Sequence, residues 1–369
     1  MKVAHISTVH PTFDGRIFHK ECVSLAKSGY KVHLIIGHSK KEKVDGVEIH
    51  PLPKFGNRLD RIRRGNKIAF NIALEINADV YHLHDPELLP LGLKLKQKGF
   101  KVVYDMHELA GLMIRSKKWI PFILRWTMEK LYMYYENKAF QQFDKVIVVT
   151  EKMVTDYTSK MYPQHTNKVE IIRNFSLVEN IKNTSPIEQD KKGQTILIYV
   201  GGLTRQRGIL DVVEAIQEID NVGLWLMGPW ENEEFQNDCS DADVKSKLEY
   251  FGILPMPEVY KYIQASDIGL TILNPTVNHL ASLPVKAFEY MAASKPQIMS
   301  NFSFWEKSFV DCVVFVDPNN KLEIQNAIRD LVENTVLRME LGSKSLKVVE
   351  EKYSWEMEST KLVDLYKTL

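Results

Sequence analysis

The sequence predicts an α/β protein built from two doubly wound domains. Short runs rich in Val, Ile and Leu alternate with longer helical patterns along the whole chain, which is typical of a parallel sheet covered by helices on both faces. At 369 residues the chain is longer than one ordinary domain of roughly 150 residues. A polar stretch, SLVENIKNTSPIEQDKKGQ, separates two series of strands and predicts the linker region.

The predicted elements follow in the same order in both halves. The first half offers the strands KVAHIS, KVHLIIG, VEIHPL, DVYHLH, KVVYDM and KVIVVT, with helical patterns at 17–28, 67–77 and 88–98. The second half offers TILIYVG, GLWLMG, LEYFGI, IGLTIL, KPQIMS and VVFVD, again separated by helices. Because ligands of such sheets bind at the carboxyl ends of the strands, we expect the site in the cleft between the domains.

Composition excludes several classes of protein. Hydrophobic residues make up 44% and charged residues 26%, which excludes a disordered chain, a collagen-like chain and an integral membrane bundle. The chain starts directly in a strand pattern, so we expect no signal peptide. The three cysteines, Cys22, Cys239 and Cys312, lie far apart without zinc-ligand spacing, and we expect a reducing cytosol as the compartment.

Charge is segregated along the chain although the net charge is only +1. Residues 1–175 hold 29 Lys and Arg against 18 Asp and Glu, whereas the rest holds 19 against 29. A basic first half predicts an anionic partner: nucleic acid, a phosphorylated substrate or a membrane surface. We do not expect nucleic acid, since no helix-turn-helix or RNA-binding signature accompanies the charge.

Two basic stretches are candidates for contact with a membrane. KFGNRLDRIRRGNK is densely positive, and LMIRSKKWIPFILRWTMEKLYMYY interleaves basic with aromatic residues. That mixture on a helix fits a segment lying at the lipid headgroups, and it fits equally a half-buried helix with a solvated basic face. The membrane candidates are Arg61, Arg63, Arg64, Lys117, Lys118, Trp119, Arg125 and Trp126.

The segment YVGGLTRQRGILDVVEA reads as a strand, a glycine turn and the start of a helix. Backbone amides at that helix start, with Arg205 or Arg207, could hold a phosphate or diphosphate. The spacing matches neither a nicotinamide-binding fingerprint nor a P-loop. An ordinary turn with solvated arginines is the alternative.

A second segment, SLPVKAFEYMAASKPQI, predicts a helix that begins after Leu283 and Pro284. Glu289 lies inside this helix, where a carboxylate can accept hydrogen bonds from both hydroxyls of a ribose. A capping or solvent-facing glutamate is the alternative.

Histidines and carboxylates gather at two predicted strand ends in the first half. Catalytic groups collect at such ends, and the candidates are His84, Asp85, Asp105, His107 and Glu108. His107 is flanked by two carboxylates and is the stronger functional candidate. His82 and His84 lie on one strand face, but no third ligand has motif-like spacing, so we expect no metal.

Together these segments resemble the retaining glycosyltransferases of family 4, whose GT-B fold has two Rossmann-like domains. The resemblance covers essentially the whole chain and rests on STVHPTFDGRIFHKECVSLAKSGY, HLHDPE, YDMHEL, YVGGLTRQRG, LPVKAFEYMAASKP and YSWEMESTKLVDLYKTL. It implies an acceptor-binding domain at 1–175, a nucleotide-sugar-binding domain at 176–350, and a terminal helix at 351–369 that returns to the first domain.

The resemblance also implies roles for matched positions. Arg207, with Arg205 standing in for an arginine that Gly202 replaces, would neutralise the donor diphosphate. The remaining roles are Glu289 for the ribose, His107 near the transferred sugar, Gly15 and Arg16 in a loop over the diphosphate, and amides near Leu283 for the phosphate and sugar. Ala281 stands where the family has a glutamate that contacts the donor sugar, and Asn278 or Ser282 could substitute for it.

The activity implied is retaining, metal-independent transfer of a sugar from a nucleotide-diphosphate donor, UDP before GDP, to a lipid-linked glycan acceptor. The resemblance is to bacterial enzymes of capsule, O-antigen and exopolysaccharide synthesis, so the protein would bind peripherally at the cytoplasmic membrane's inner face. Two alternatives stay open. One is a nucleotide-sugar epimerase of the same fold, and the other is a non-catalytic nucleotide-sugar-binding partner subunit.

Overall fold

The computed structural model of the chain describes residues 1–107, 110–114, 121–276, 279–280 and 282–369. These residues form two compact units. The first joins Met1–Asn174 to Met357–Leu369, and the second is Phe175–Glu356. The first unit therefore ends one residue before position 175, and the returning segment starts at 357 instead of 351.

The first unit contains a sheet of eight strands in the order β3-β4-β2-β1-β5-β6-β7-β8. The strands are β1 Lys2–Ile6, β2 Lys31–Gly37, β3 Glu42–Val44, β4 Val47–Leu52, β5 Val80–Leu83, β6 Lys101–Met106, β7 Lys145–Val148 and β8 Val169–Ile171. All neighbouring strands pair in parallel except β3 and β4, which form an antiparallel edge. In the centre, His5 of β1 lies in register with His82 of β5.

Helices cover this sheet. The α-helices named here are α1 Val23–Lys27, α2 Asn66–Ile76, α3 Leu89–Gln97 and α4 Phe122–Gln142, and α13 Trp355–Lys367 carries the returning segment. Short helical turns span Ile17–Cys22, Arg58–Asp60, Arg61–Gly65, Pro86–Leu88, Ala110–Met113, Glu151–Met153, Val154–Thr158, Ser159–Met161 and Pro163–Lys168. The turn Ile17–Cys22 continues directly into α1, so the predicted helix at 17–28 consists of two consecutive helical segments.

The second unit has a parallel sheet of six strands in the order β11-β10-β9-β12-β13-β14. The strands are β9 Thr195–Val200, β10 Val222–Met227, β11 Leu248–Tyr250, β12 Ile268–Thr271, β13 Gln297–Ser300 and β14 Val314–Val316. Its helices are α5 Val178–Lys182, α6 Ile209–Ile216, α7 Glu233–Ala242, α8 Met256–Ala265, α9 Val285–Ala292, α10 Ser303–Ser308, α11 Lys321–Glu333 and α12 Thr335–Lys352, with a single turn at Arg205–Arg207.

Each unit has its own apolar core, because the central strands are covered on both faces. All six residues of β10, VGLWLM, are buried, as are all four of β5, VYHL. Such continuous apolar runs are the pattern of parallel strands sandwiched between helix layers. A histidine inside β5 is the exception to that pattern, and it lies in a cluster described below. Among the described residues, none of the helices combines the length and apolarity needed to cross a bilayer.

Candidate functional site

Two cations lie against the glycine turn that follows β9. Gly201 has a φ of +127°, and a Cβ there would lie 3.1 Å from both the Arg207 Nη1 and the Lys286 Nζ atoms. A side chain at 201 would therefore be strained and would also crowd both cations. The turn is fixed by the Gly201 amide, which donates to the Met227 carbonyl at 2.8 Å. The sequence thus places two basic side chains beside a tight backbone turn.

Lys286 is the residue that sequence analysis missed. Its ammonium is 3.5 Å from the centroid of the Tyr199 ring, and its buried Nζ has no hydrogen-bond partner among the described residues. Burial, and then the charge of Arg207, hold the pKa of Lys286 well below its usual range, although Glu289 opposes this. An unpaired buried cation is costly, and an anion at the turn would relieve that cost. The signal was a lysine directly before the buried run AFEYMA.

Glu289 follows Lys286 by three residues on α9 and is buried. The helix begins at Val285, directly after Pro284, whose backbone is extended. Leu283 lies two residues before the first helical residue, near the helix start, where free amides favour negative charge. Burial, and then the charge of Glu289, raise the pKa of Tyr260 beyond its usual range. Lys286 therefore lies near both Arg207 at the turn and Glu289 on its own helix.

The structure places Arg205 elsewhere in the second unit. Its guanidinium pairs with Asp238 and lies over the Phe235 ring at 5.0 Å. Gly202 is not crowded, since a Cβ there would meet Arg207 Nη1 only at 3.7 Å. The positive charge beside Arg207 therefore comes from Lys286, whereas the resemblance implied Arg205.

The first unit contains a cavity of about 420 Å³. One part of its wall is polar and holds His10, His84, Asp85, Asp105 and His107. Another part is apolar and includes Ile62, Met128, Leu131, Tyr132 and Tyr135, and two arginines, Arg58 and Arg61, also line it. Such a cavity suits a ligand that combines hydroxyl or phosphate groups with an apolar portion.

Two histidine–aspartate pairs lie in the polar wall. His10 Nδ1 is 3.0 Å from Asp85 Oδ1. Burial lowers the pKa of His10, but the hydrogen bond and charge of Asp85 outweigh it, so this pKa is raised. His107 Nδ1 is 3.5 Å from Asp105 Oδ2, and the His107 ring meets the His10 ring edge-on at 5.3 Å. The structure thus brings together four of the predicted residues, His84, Asp85, Asp105 and His107.

Arg16 has a role inside the first unit. Its Nε and Nη2 donate to the two oxygens of Asp105 at 2.7 and 3.0 Å, and Nη2 also donates to the Ile172 carbonyl at 3.2 Å. The Glu21 carboxylate lies 3.0 Å from the same Nε. Burial opposes ionisation of Asp105, but Arg16 outweighs it and holds this pKa well below its usual range. The resemblance implied a diphosphate contact for Arg16, whereas its buried charge is committed to two carboxylates here. Gly15, beside it, is uncrowded.

The predicted membrane residues divide into three groups. Arg61 makes a two-point ion pair with Glu87, at 2.8 and 3.1 Å, so its charge is already balanced. Arg63 and Arg64 are exposed, and Arg125 is half-buried near the Phe122 ring. Lys117, Lys118 and Trp119 lie outside the described residues, as do Glu108, Asn278 and Ala281.

Helix α4 buries carboxylates and exposes apolar side chains. Glu136 is fully buried and accepts hydrogen bonds from Tyr132, Tyr157 and Tyr162 at 2.7, 2.6 and 2.5 Å. The exposed side chains on the same helix include Phe122 at 82%, Ile123 at 85% and Trp126 at 62% exposure. Large apolar side chains grouped on a surface are a mark of an interaction site.

Two family models match this chain, one in each half. Residues 15–175 match the model described as Glycosyltransferase Family 4, and residues 180–348 match Glycosyl transferases group 1. Both parallel-sheet units fit the GT-B fold, as the sequence predicted. The chain belongs to the glycosyltransferases that join these two domains.

Similar proteins agree with this assignment. The lipopolysaccharide core biosynthesis glycosyltransferase LpsD of Rhizobium meliloti is 21% identical over 202 residues, which cover 54% of this chain and 57% of LpsD. WaaG, a glycosyltransferase involved in lipopolysaccharide biosynthesis, superposes with a TM-score of 0.73 at 16% identity, covering 98% of this chain and 99% of WaaG. A structure described as trehalose-6-phosphate from E. coli, bound with UDP-2-fluoro glucose, also has a TM-score of 0.73, at 13% identity and 99% coverage of both chains. The chain spans about half the length of the first curated relatives that it matches, 48% and 57%.

Proposed function

We propose that this chain transfers a sugar from a nucleotide-diphosphate donor to a lipid-linked glycan acceptor, during synthesis of a bacterial surface polysaccharide. The observation that carries the proposal is the pair of cations, Arg207 and Lys286, held against the Gly201 turn. In this reaction the bond from the anomeric carbon to the donor phosphate breaks, and negative charge develops on the departing diphosphate. Preorganised cations stabilise that charge without a metal ion.

In this proposal the remaining donor contacts come from α9 and from the segment before it. Glu289 would accept hydrogen bonds from the ribose hydroxyls, and the amides near Leu283 would contact phosphate and sugar. UDP is the first choice of nucleotide because a neighbour of the same fold is described with a UDP-sugar analogue, and GDP is the second. No pair of carboxylates has been assigned across the anomeric carbon, so we favour retention through front-side displacement, with the acceptor proton passing to the departing diphosphate.

The acceptor would enter the cavity of the first unit. Its polar wall offers His107 beside Asp105, which would orient sugar hydroxyls, and its apolar wall would hold a lipid portion. The exposed apolar start of α4 would dock on an anionic membrane at the cytoplasmic face, assisted by the basic charge of the first unit. The lipopolysaccharide enzymes LpsD and WaaG support this choice of acceptor class.

The experiment is a transfer assay with labelled UDP- and GDP-sugars and a bacterial lipid extract as acceptor. Label should enter the organic phase with the wild type and fall at least tenfold with Arg207→Ala or His107→Ala. Conversion of the donor sugar without any acceptor would favour the epimerase. Donor binding with no conversion would favour the non-catalytic partner, and the absence of a glutamate at position 281 would then explain it.

A further inference from the structure

A cluster of three histidines and one glutamate lies buried in the first unit, separate from the donor determinants. His5 comes from β1, His82 comes from β5, His84 directly follows the end of β5, and Glu21 comes from the helical turn Ile17–Cys22. Each of the four side chains is at most 1% exposed. One ligand atom from each side chain, a ring nitrogen or a carboxylate oxygen, lies within 4.8 Å of the ligand atoms of the other three.

All three histidines have a ring nitrogen near the same oxygen of Glu21. Glu21 Oε2 is 3.8 Å from His5 Nδ1, 3.9 Å from His82 Nδ1 and 3.8 Å from His84 Nε2. These distances are too long for hydrogen bonds, and this buried oxygen has no hydrogen-bond partner in the described part of the chain. Buried polar atoms are normally satisfied, so an unsatisfied carboxylate oxygen facing three imidazoles needs an explanation.

A divalent cation explains the geometry. Ligand atoms about 2.0–2.2 Å from a tetrahedral Zn²⁺ lie about 3.3–3.5 Å from one another. His5 Nδ1 and His84 Nε2 are 2.9 Å apart, at hydrogen-bond distance, the three nitrogens are 3.8–3.9 Å from Glu21 Oε2, and none of the four ligand atoms is more than 4.8 Å from another. A shift of a few tenths of an ångström to one ångström in these atoms would reach the zinc geometry. Three imidazole nitrogens and one carboxylate oxygen are also a donor set that suits zinc.

The surroundings fit a closed metal site. The rings of His5, His82 and His84 pack against one another with centroids 4.6–5.1 Å apart; His84 is stacked on both other rings, and His5 and His82 are tilted by 38°. Asp105 is 3.4 Å from His84 Nδ1, the ring nitrogen that does not face Glu21 Oε2. The Tyr366 hydroxyl is 2.8 Å from His82 Nδ1 itself, so this hydroxyl would have to give up that contact when Nδ1 binds the ion. Carboxylates and hydroxyls next to ligand histidines commonly fix ring orientation in metal sites.

We propose that His5, Glu21, His82 and His84 bind one structural Zn²⁺ ion inside the first unit. The ion would tie β1 and β5 to the turn Ile17–Cys22 and would fix His84 at the cavity wall. A closed and fully buried site of four protein ligands stabilises a fold and leaves no position for a substrate. The sequence did not predict it, because His5 and Glu21 have no motif-like spacing from His82 and His84.

The first test measures metal content in untagged full-length protein by mass spectrometry. After dialysis from zinc-containing buffer, the wild type should hold about one zinc per chain. His5→Gln and His82→Gln should each hold at least tenfold less zinc per chain than the wild type. His165→Gln, which removes an imidazole outside the cluster, should hold as much zinc as the wild type. Zinc below a tenth of an equivalent in the wild type, or equal retention in all variants, would overturn the proposal.

A second test needs only the wild type, so it stands even where a variant does not fold. Removal of zinc with dipicolinate should lower the unfolding temperature by about 5 °C or more, and added Zn²⁺ should restore it. Cobalt bound in place of zinc should show the visible absorption of tetrahedral coordination. An unfolding temperature unchanged by both chelator and zinc would contradict the site. Neither test involves donor or acceptor, so failure here leaves the proposed transferase function standing.

Discussion

Lys286 and Arg207 place two basic side chains beside one backbone turn, and the buried Lys286 Nζ has no hydrogen-bond partner in the part of the chain that the structure describes. Both features disfavour the charged form of this lysine in the free protein. A bound diphosphate would reverse this, because its negative charge favours the protonated lysine. The pKa of Lys286, held well below its usual range in the free protein, should therefore rise on binding. The groups that set this pKa are Arg207, which lowers it, and Glu289, which raises it.

We therefore predict proton uptake when UDP binds. Affinity should be constant below the free-state pKa of Lys286 and should fall as pH rises through it, since binding must then bring in a proton. Calorimetry in pairs of buffers of different ionisation heat, repeated over a series of pH values above 7, measures the uptake; the nucleotide itself, with a phosphate pKa of about 6, is already ionised there. Lys286→Met should abolish the uptake. The same uptake in the variant would assign the proton to another group.

Gly228 lies close against the backbone of the Gly201 turn. It has a φ of +134°, and a Cβ there would lie 2.0 Å from the Gly201 carbonyl oxygen. Gly228→Ala should therefore displace the turn and reduce the free energy of unfolding by about 2 kcal/mol or more. Gly202→Ala is the matched control, because its Cβ would have only ordinary contacts. Urea denaturation compares the two, and equal stability of both variants would contradict the crowding argument.

Helix α4 is held in place by polar contacts on its buried face, so it can expose large apolar side chains elsewhere. Its inner face is fixed by Glu136, which accepts three tyrosine hydroxyls, so the helix does not depend on burying Phe122 or Trp126. Glu136→Leu would leave three buried hydroxyls without this acceptor, at a cost of about 3 kcal/mol or more. Leucine at the exposed Glu75 of α2 is the control. A Glu136→Leu protein as stable as the control in urea would show that the tyrosine cluster is dispensable.

The same helix is expected to bind anionic membranes. Serine in place of Phe122, Ile123 and Trp126 should weaken binding to phosphatidylglycerol vesicles at least tenfold, since each apolar side chain contributes about 1.5–3 kcal/mol when buried. Serine at Leu322, Val336 and Met339, exposed side chains of the second unit, should have no such effect. Glutamine at Arg63 and Arg64 should weaken binding further at low salt. Equal binding to neutral vesicles, insensitive to salt, would contradict the docking surface.

At the scale of the whole molecule, hydrophobic patterning was sufficient for the order of strands and helices. The runs KVAHIS and TILIYVG lie in β1 and β9, and the family resemblance led to the GT-B fold. The strand β3, Glu42–Val44, was missed because it is short and polar. Its place at the edge of the sheet explains why it needs no apolar run.

Site residues were harder to predict, because sequence spacing does not report three-dimensional neighbours. Arg16 looked like a free cation in a glycine loop, yet Asp105 neutralises it from a strand 89 positions later. Lys286 was not among the predicted site residues, because its contact with Tyr199 arises only when α9 packs in the folded domain. In both cases the role of the side chain depends on the fold. The fold brings a distant partner to Arg16, and it separates the Lys286 ammonium group from water.

The donor site of the second unit is the central claim, and titration calorimetry with UDP and GDP in EDTA tests it most directly. We predict micromolar binding of one nucleotide, at least tenfold weaker with Arg207→Ala or Lys286→Met. With Arg205→Ala, whose guanidinium pairs with Asp238, binding should change by no more than a few-fold. Failure of both nucleotides to bind the wild type, or equal affinity in all variants, would contradict the claim that this turn holds a nucleotide diphosphate.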